Sequence, residues 1–141
     1  MRLSAVLVPV LLVLCACSRT APEDALRQEV AAMRTAVEAR DVGDIADGIA
    51  DDFIGPEGMD RTGAKRLAQL VFLRNRDVGV TMGPLDIAMR EGGATVKFTA
   101  ALTGGSGGML PTSGQMYDVS TDWRQNGDEW ELVAAEWTPK L

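Results

Sequence analysis

Histidine is absent from this chain, which also has only two cysteines, one tyrosine and few aromatic residues. The stretch 104–108 formally matches the G-x-S-x-G pattern of a serine nucleophile, but that arrangement needs a histidine base and a following helix. No Gly-Lys-Ser/Thr sequence follows it, so it does not have the pattern of a phosphate-binding loop. We interpret it as a flexible connection, with Met109 and Leu110 placed to close over a pocket or contact a partner.

Positive charge is also in short supply, with 14 Lys and Arg against 20 Asp and Glu and a net charge of −6. Phosphate contacts need clustered basic residues, so nucleic acid is not an expected partner. Asp44, Asp47 and Asp51 are candidate metal ligands, but their spacing is not that of a calcium loop. We interpret them as a solvated surface and expect no metal and no cofactor.

The apolar run at residues 6–14 is far shorter than the ~20 residues of a membrane-spanning helix. Arg2 precedes the run and small residues follow it, as in a secretory signal peptide. Leu14-Cys15-Ala16-Cys17 resembles the bacterial lipobox. The resemblance implies cleavage after Ala16 and lipidation of Cys17, with a diacylglycerol thioether and commonly an acylated amine. Two or more acyl chains, at ~0.8 kcal/mol per buried methylene, hold a protein durably to a bilayer.

These features divide the chain into a signal peptide (1–16), a lipidated tether (17–23) and one domain (24–141). Removal of Cys15 and acylation of Cys17 leave no cysteine pair for an intramolecular disulfide. We expect a bacterial cell-envelope protein held to the membrane by its lipid, on the periplasmic face of the outer membrane.

Three helices are predicted in the first half of the domain. Thr20-Ala21-Pro22-Glu23 has the spacing of a capping box, and the helix that follows ends near Arg40. A second helix is predicted from Asp44, because Ile45, Ile49 and Phe53 recur every four residues.

Asp60 is the predicted N-cap of the third helix, which reaches about Arg76 and is locally basic. One interpretation of its charge is contact with anionic lipid head groups. The other is an ordinary solvated face that balances the acidic second helix.

Four strands are predicted in the second half. Residues 78–89 form a strand broken at Gly83-Pro84, and residues 95–102 alternate, with Val96 and Phe98 on the apolar face. The last two strands form a hairpin over 115–137, whose tight turn is expected at Asn126-Gly127.

A two-residue turn at Asn126-Gly127 would set the register of this hairpin. It would place on one buried face the pairs Trp123–Trp130, Thr121–Leu132, Val119–Ala134 and Tyr117–Glu136. The predicted pocket lining is therefore Trp123, Trp130, Val119, Leu132 and Phe98.

Tyr117 and Glu136 would meet at the far end of that apolar face. Loss of hydration would raise the pKa of the Glu136 carboxyl, which makes the pair a candidate acid–base site. The alternative is a structural hydrogen bond from Tyr117 or an arginine to Glu136 at the rim of the core.

The order of elements predicts an α+β domain, in which N-terminal helices pack on a strongly bent antiparallel sheet. The segments Ala50-Asp51-Asp52-Phe53, Asn126-Gly127-Asp128 and Trp130-Glu131-Leu132-Val133 resemble the nuclear transport factor 2-like superfamily, which includes SnoaL-like cyclases. The resemblance implies a cone-shaped domain of cystatin-like topology with a pocket between helices and sheet, often dimeric through the outer face of the sheet. It implies no single activity.

Two functions follow as hypotheses. The first is a non-catalytic, lipid-anchored envelope module that binds a small apolar ligand or a protein partner. The second is a small acid–base enzyme, an isomerase or dehydratase, with Glu136 as base and Tyr117 as polarising group. A chaperone-like or immunity role is a third, on which the residues are silent.

Overall fold

The computed structural model describes residues 20–107 and 113–141, which contain three α-helices and six strands. The predicted Ala16 cleavage site, Cys17, Met109 and Leu110 lie outside the described residues. The helices are α1 (Pro22–Glu38), α2 (Val42–Asp47) and α3 (Arg61–Arg74). The strands are β1 (Ile49–Ile54), β2 (Asp77–Met82), β3 (Asp86–Arg90), β4 (Gly93–Gly105), β5 (Ser113–Asn126) and β6 (Glu129–Pro139).

All six strands form one strongly curved sheet in the order β1-β6-β5-β4-β2, with β3 also paired to β4. The predicted break at Gly83-Pro84 is present, since β2 pairs with the second half of β4 and β3 with its first half. Most pairings are antiparallel, but β1 runs parallel to β6. The expected α+β class with helices on a bent sheet is therefore confirmed.

Two of the three helix starts use side-chain caps. The carboxylates of Asp41 and Asp60 accept hydrogen bonds from the amides of Asp44 and Gly63, at 3.0 and 2.7 Å. The capping box predicted at Thr20 is wrong, because α1 begins after Ala21, which makes no side-chain cap. Pro22 starts α1 instead, with its φ already suited to the first helical turn.

The predicted second helix is only partly correct. It ends at Asp47, and residues from Ile49 to Ile54 form β1. The four-residue spacing of the apolar side chains suits a helix, but β6 offers an open edge to which this segment pairs from Ile49 to Ile54. A long-range pairing of this kind outweighs local periodicity.

The terminal hairpin forms as predicted, but its turn lies one residue later. Asn126 pairs with Glu129, so the loop residues are Gly127 and Asp128, and Gly127 has a positive φ of 64°. Glycine at the first loop position is the arrangement of a type II′ turn. Trp123 consequently pairs with Leu132 rather than with Trp130. A shift of two residues preserves side-chain parity, so both tryptophans still lie on the buried face, at 3% and 5% exposure.

A register shift farther along the hairpin changes which side chains of β6 face inward. Trp123 pairs with Leu132, but Asp122 pairs with Ala134, so Val133 is an extra residue. The bulge turns Ala135 inward and moves Ala134 and Glu136 to the outer face. Three predicted pairs are therefore wrong, namely Thr121–Leu132, Val119–Ala134 and Tyr117–Glu136. The observed pairs are Thr121–Ala135, Val119–Trp137 and Tyr117–Pro139.

The core lies between α1, α2 and the concave face of the sheet. Leu26 of α1 and Val96 of β4 are fully buried, and Phe53 of β1 and Trp123 of β5 pack into the same cluster. By contrast α3 buries only Phe72. Within the described ranges, no helix combines the length and apolar character that crossing a bilayer requires.

Arg124 ties three strands together on the convex face. Its guanidinium donates two hydrogen bonds to the Asp52 carboxylate, at 2.9 and 3.0 Å, and further bonds to Glu131 at 2.8 and 2.9 Å. The hydrogen bonds from Arg124 hold the pKa of the Asp52 carboxyl below its ordinary value of 3.8. This contact fastens the edge strand β1 to the central hairpin.

Replacing Asp52 with asparagine is expected to lower the melting temperature at neutral pH. Because the pKa of Asp52 is lowered in the folded state, its stabilising effect is present above the unfolded value near 3.8 and disappears as the pH falls through the folded value. The difference from the parent chain should therefore shrink below about pH 4. Thermal unfolding across pH measures it. D51N, a change at the exposed neighbour Asp51, is the matched control, and an equal effect there would contradict the prediction.

Candidate functional site

A cavity of about 580 Å³ lies between the helices and the concave face of the sheet. One wall is helical, formed by side chains of α1 and α3 that include Val30, Met33, Ala68 and Val71. The opposite wall is formed by β2, β4, β5 and β6. This volume lies within the ~300–1,000 Å³ typical of small-molecule sites.

Helix α3 leaves the cavity open, because its middle part is not packed against β4 and β5. Its inward stripe is built largely from small or branched side chains, Ala64, Ala68 and Val71, which cannot fill the space up to β4 and β5. Besides apolar packing through Phe72, hydrogen bonds from two arginines hold this helix to the domain. Arg61 donates to the carbonyl oxygens of Ala46 and Ile49 at 2.9–3.2 Å, and Arg40 donates to the carbonyl oxygen of Phe72 at 2.6 Å.

The polarity of the cavity changes along β5. Trp123 and Thr121 are buried at the base, Val119 and Tyr117 are half-buried, and Gln115 is exposed. Ser113, Gly114 and Leu102 are also exposed lining residues, so the mouth lies at the far end of the β4–β5 pair. The site thus has an apolar base and a neutral polar mouth.

The polar groups at the base are already satisfied. The indole N–H of Trp123 donates to the Thr121 hydroxyl at 2.9 Å, and that hydroxyl donates to the carbonyl oxygen of Val96 at 3.0 Å. A buried donor without a partner would destabilise the fold, and this relay removes that penalty. The base therefore offers a ligand apolar surface rather than free hydrogen-bonding groups.

Asn75 and Gly104 face each other at the mouth. The Asn75 amide donates to the carbonyl oxygen of Val71 at 2.9 Å. A Cβ at residue 104 would overlap the side chain of Asn75 in its present position, so glycine allows this close approach. The end of α3 can therefore pack directly against the backbone of β4.

The described lining of the cavity contains no aspartate, glutamate, histidine, cysteine or lysine. Its ionisable side chains are Arg34 and Tyr117, and Arg34 is paired with Glu38 at 2.9 Å. The segment 108–112, Gly-Met-Leu-Pro-Thr, contains no ionisable side chain either. Proton transfer from a carboxylate in the cavity therefore has no group in the described lining to perform it.

Four of the five predicted pocket residues, Trp123, Val119, Leu132 and Phe98, do line this cavity. Trp130 does not, so its assignment to this cavity is wrong, and it borders a second depression instead. Its side chain packs at the other end of the hairpin against the start of α1, and its indole N–H donates to the carbonyl oxygen of Pro22 at 3.1 Å. The displaced turn explains the difference, since Trp130 pairs with Gln125 instead of Trp123.

The structure separates the proposed acid–base pair. Tyr117 lines the cavity, but Glu136 lies opposite Ser120, exposed on the convex face. The bulge at Val133 is the physical reason, because it reverses the direction of every later side chain in β6. The expected loss of hydration at Glu136 is therefore wrong.

The α3 residues that line the cavity are not predicted as site residues from the sequence. In the sequence, Ala64, Leu67, Ala68 and Val71 form one apolar helix stripe, a pattern that normally indicates core packing. Small residues at the centre of that stripe were the available signal, because they leave volume unfilled opposite a sheet.

A second depression, of about 570 Å³, lies between α1, α2 and the β5–β6 turn. It is acidic, with Asp44, Asp47, Asp128, Glu29 and Glu129 in its lining. Burial raises the pKa of Glu29, and the negative charge of Glu129 raises it further. Over 20–107 and 113–141, no grouping of three or more acidic, histidine or cysteine side chains has the arrangement of a metal site.

Neither any protein-family model nor any curated protein sequence matches this chain. Solved structures do resemble it. A Bdellovibrio bacteriovorus protein aligns with a TM-score of 0.72 at 16% identity over 84% of this chain, which spans only 41% of that protein. A Streptomyces avermitilis protein of the nuclear transport factor 2-like family, provisionally assigned as a dehydratase, aligns at 0.71 and 16% identity over 86% of this chain and 99% of its own.

A third structure, an uncharacterised Caulobacter vibrioides protein with a cystatin-like fold, aligns at a TM-score of 0.70 and 12% identity, over 85% of this chain and 90% of its own. At such identities the likeness shows the fold and no activity. The chain therefore has the α+β fold shared by nuclear transport factor 2-like and cystatin-like proteins.

Proposed function

We propose that this protein is a lipid-anchored binding module of the bacterial cell envelope, which holds a small, uncharged apolar molecule in its cavity. The observation that carries the proposal is a ligand-sized cavity of about 580 Å³ whose described walls are almost entirely apolar. Sites of this size and polarity bind ligands chiefly by burying apolar surface.

The polarity gradient narrows the class of ligand. The base, around Trp123 and Leu132, favours an apolar body, because its hydrogen-bonding groups are already paired. Gln115 and Ser113 at the mouth offer amide and hydroxyl groups to a neutral polar end. For a charged head group, the described lining offers one charged side chain, Arg34, which is paired with Glu38.

Binding is favoured over acid–base catalysis on the same residues. An isomerase or dehydratase needs a base within hydrogen-bond reach of its substrate. Glu136 lies on the convex face, and Tyr117 has no carboxylate or histidine beside it in the described lining. The provisional dehydratase assignment of one structural neighbour belongs to that protein.

The anchor is proposed from Leu14-Cys15-Ala16-Cys17 alone, with cleavage after Ala16 and acylation of Cys17. It would place the cavity beside a membrane, where apolar molecules are concentrated. A homodimer through the convex face stays a prediction from the family resemblance.

Native mass spectrometry of the full chain, extracted from its membrane in mild detergent, tests the proposal. We expect a mass increase of two or three acyl chains on Cys17 and a co-purifying neutral apolar molecule. Cys17→Ser separates the two parts, because it should abolish acylation and leave binding of an added neutral naphthylamine dye unchanged. The binding function would be contradicted if the parent chain neither co-purifies with a ligand nor binds the dye.

A further inference from the structure

The outer face of α3 has no partner within the described domain. Leu73 is 85% exposed and Leu70 is 44% exposed, although both are large apolar side chains. They lie three residues apart, on the side of the helix opposite Ala64 and Ala68, which line the cavity. Solvated helix surfaces normally carry polar residues at such positions.

Basic side chains surround the two leucines. Arg66 and Arg74 lie four residues before and after Leu70, and Arg76 follows the helix. The segment 61–76 holds five basic residues and no acidic one, in a chain whose net charge is −6. We call Arg66, Leu70, Leu73, Arg74 and Arg76 the α3 patch.

Within residues 20–107 and 113–141, the arginines of the α3 patch form no ion pair. Every ion pair among the described residues involves other arginines or a lysine, namely Arg27, Arg34, Arg90, Arg124 and Lys140. Arg66, Arg74 and Arg76 are exposed. In the sequence, the acidic residue nearest to the α3 patch is Asp77, which directly follows Arg76.

We infer that the α3 patch docks on a bilayer surface containing anionic phospholipid. Leucines flanked by arginines match an interface, where apolar side chains enter the acyl boundary and guanidinium groups bind phosphates. A symmetric second copy fits poorly, since a two-fold interface through this patch would place two positively charged surfaces against each other. The inference requires neither the cavity ligand nor the acylation of Cys17.

Docking through this patch would set the helical wall of the cavity against the membrane. The same helix presents Leu70 and Leu73 outward and Ala68 and Val71 inward. A molecule leaving the bilayer would then meet α3, in which Phe72 is the one buried residue.

Hydrogen exchange of the full chain on vesicles tests the inference, because it reports on α3 separately from any anchor. The probes are vesicles of phosphatidylcholine alone and of phosphatidylcholine mixed with phosphatidylglycerol. We expect amides of residues 66–76 to exchange at least about fivefold more slowly on the anionic vesicles. About 1 M salt should reverse most of this protection, because charges are then screened within ~3 Å.

The variant R66Q/R74Q/R76Q should lose the protection, and L73S should weaken it. The matched control R27Q/R90Q/K97Q removes the same charge from exposed positions elsewhere. It should retain the protection of residues 66–76 from exchange. Equal exchange on both vesicles, or equal loss in the control, would overturn the inference. Protection in solution that rises with protein concentration would also overturn it, by showing a second copy on the patch.

Discussion

Replacing Ala68 with phenylalanine is expected to weaken binding of a neutral naphthylamine dye by at least about tenfold, or ~1.4 kcal/mol. Ala68 is half-buried on α3 and faces the cavity, so the new ring would occupy volume that a ligand needs. The free energy of unfolding should stay constant or rise, because the ring buries apolar surface in space that already exists. Dye titration and denaturant unfolding measure the two effects.

Gln69→Phe is the matched control, one residue along the same helix. Gln69 is exposed and is not part of the cavity lining. It should leave dye affinity unchanged. If both variants bind dye as the parent chain does, the dye does not use this cavity, and the proposed site is wrong.

Trp123→Ala is expected to lower the free energy of unfolding by about 3–5 kcal/mol, the usual range for a buried aromatic residue. The side chain is 3% exposed, and it joins the core cluster to the base of the cavity. Its loss would extend the existing cavity into the core, where neighbouring strands cannot easily collapse. Urea unfolding monitored by far-ultraviolet circular dichroism measures the change.

Two comparisons separate the causes of that effect. Trp123→Phe keeps most of the apolar volume but removes the hydrogen bond to Thr121, so about 1 kcal/mol should be lost. Trp137→Ala changes a half-buried tryptophan that also lines the cavity. A loss at Trp137 as large as that at Trp123 would contradict the assignment of Trp123 to the core.

The hairpin shows which parts of the fold local sequence can predict. Side chains alternate with a period of two. The turn lies one residue later than predicted, which shifts the strand register by two and leaves Trp123 and Val119 on the correct face. The bulge at Val133 could not be predicted in this way. It occurs where β6 also pairs with β1, and that pairing shifts register between Ile49 and Ile54.

The candidate site shows the same division between local and long-range information. The β5 side chains that line the cavity followed from alternation alone. The exclusion of Glu136 depended on the bulge, and the helical wall depended on how far α3 stands from the sheet. Neither the spacing of Ile45, Ile49 and Phe53 nor the stripe through Ala68 encodes such distances.

The placement of the three tryptophans gives the protein a built-in spectroscopic readout. Trp123 and Trp137 face the cavity, whereas Trp130 lies outside its lining, bonded to the Pro22 carbonyl. Indole emission depends on the polarity around each ring. The emission of Trp123 and Trp137 would therefore respond to a ligand entering the cavity, and that of Trp130 to fraying of the first turn of α1. Variants that each retain a single tryptophan would allow ligand binding and fraying of α1 to be followed separately, without any attached label.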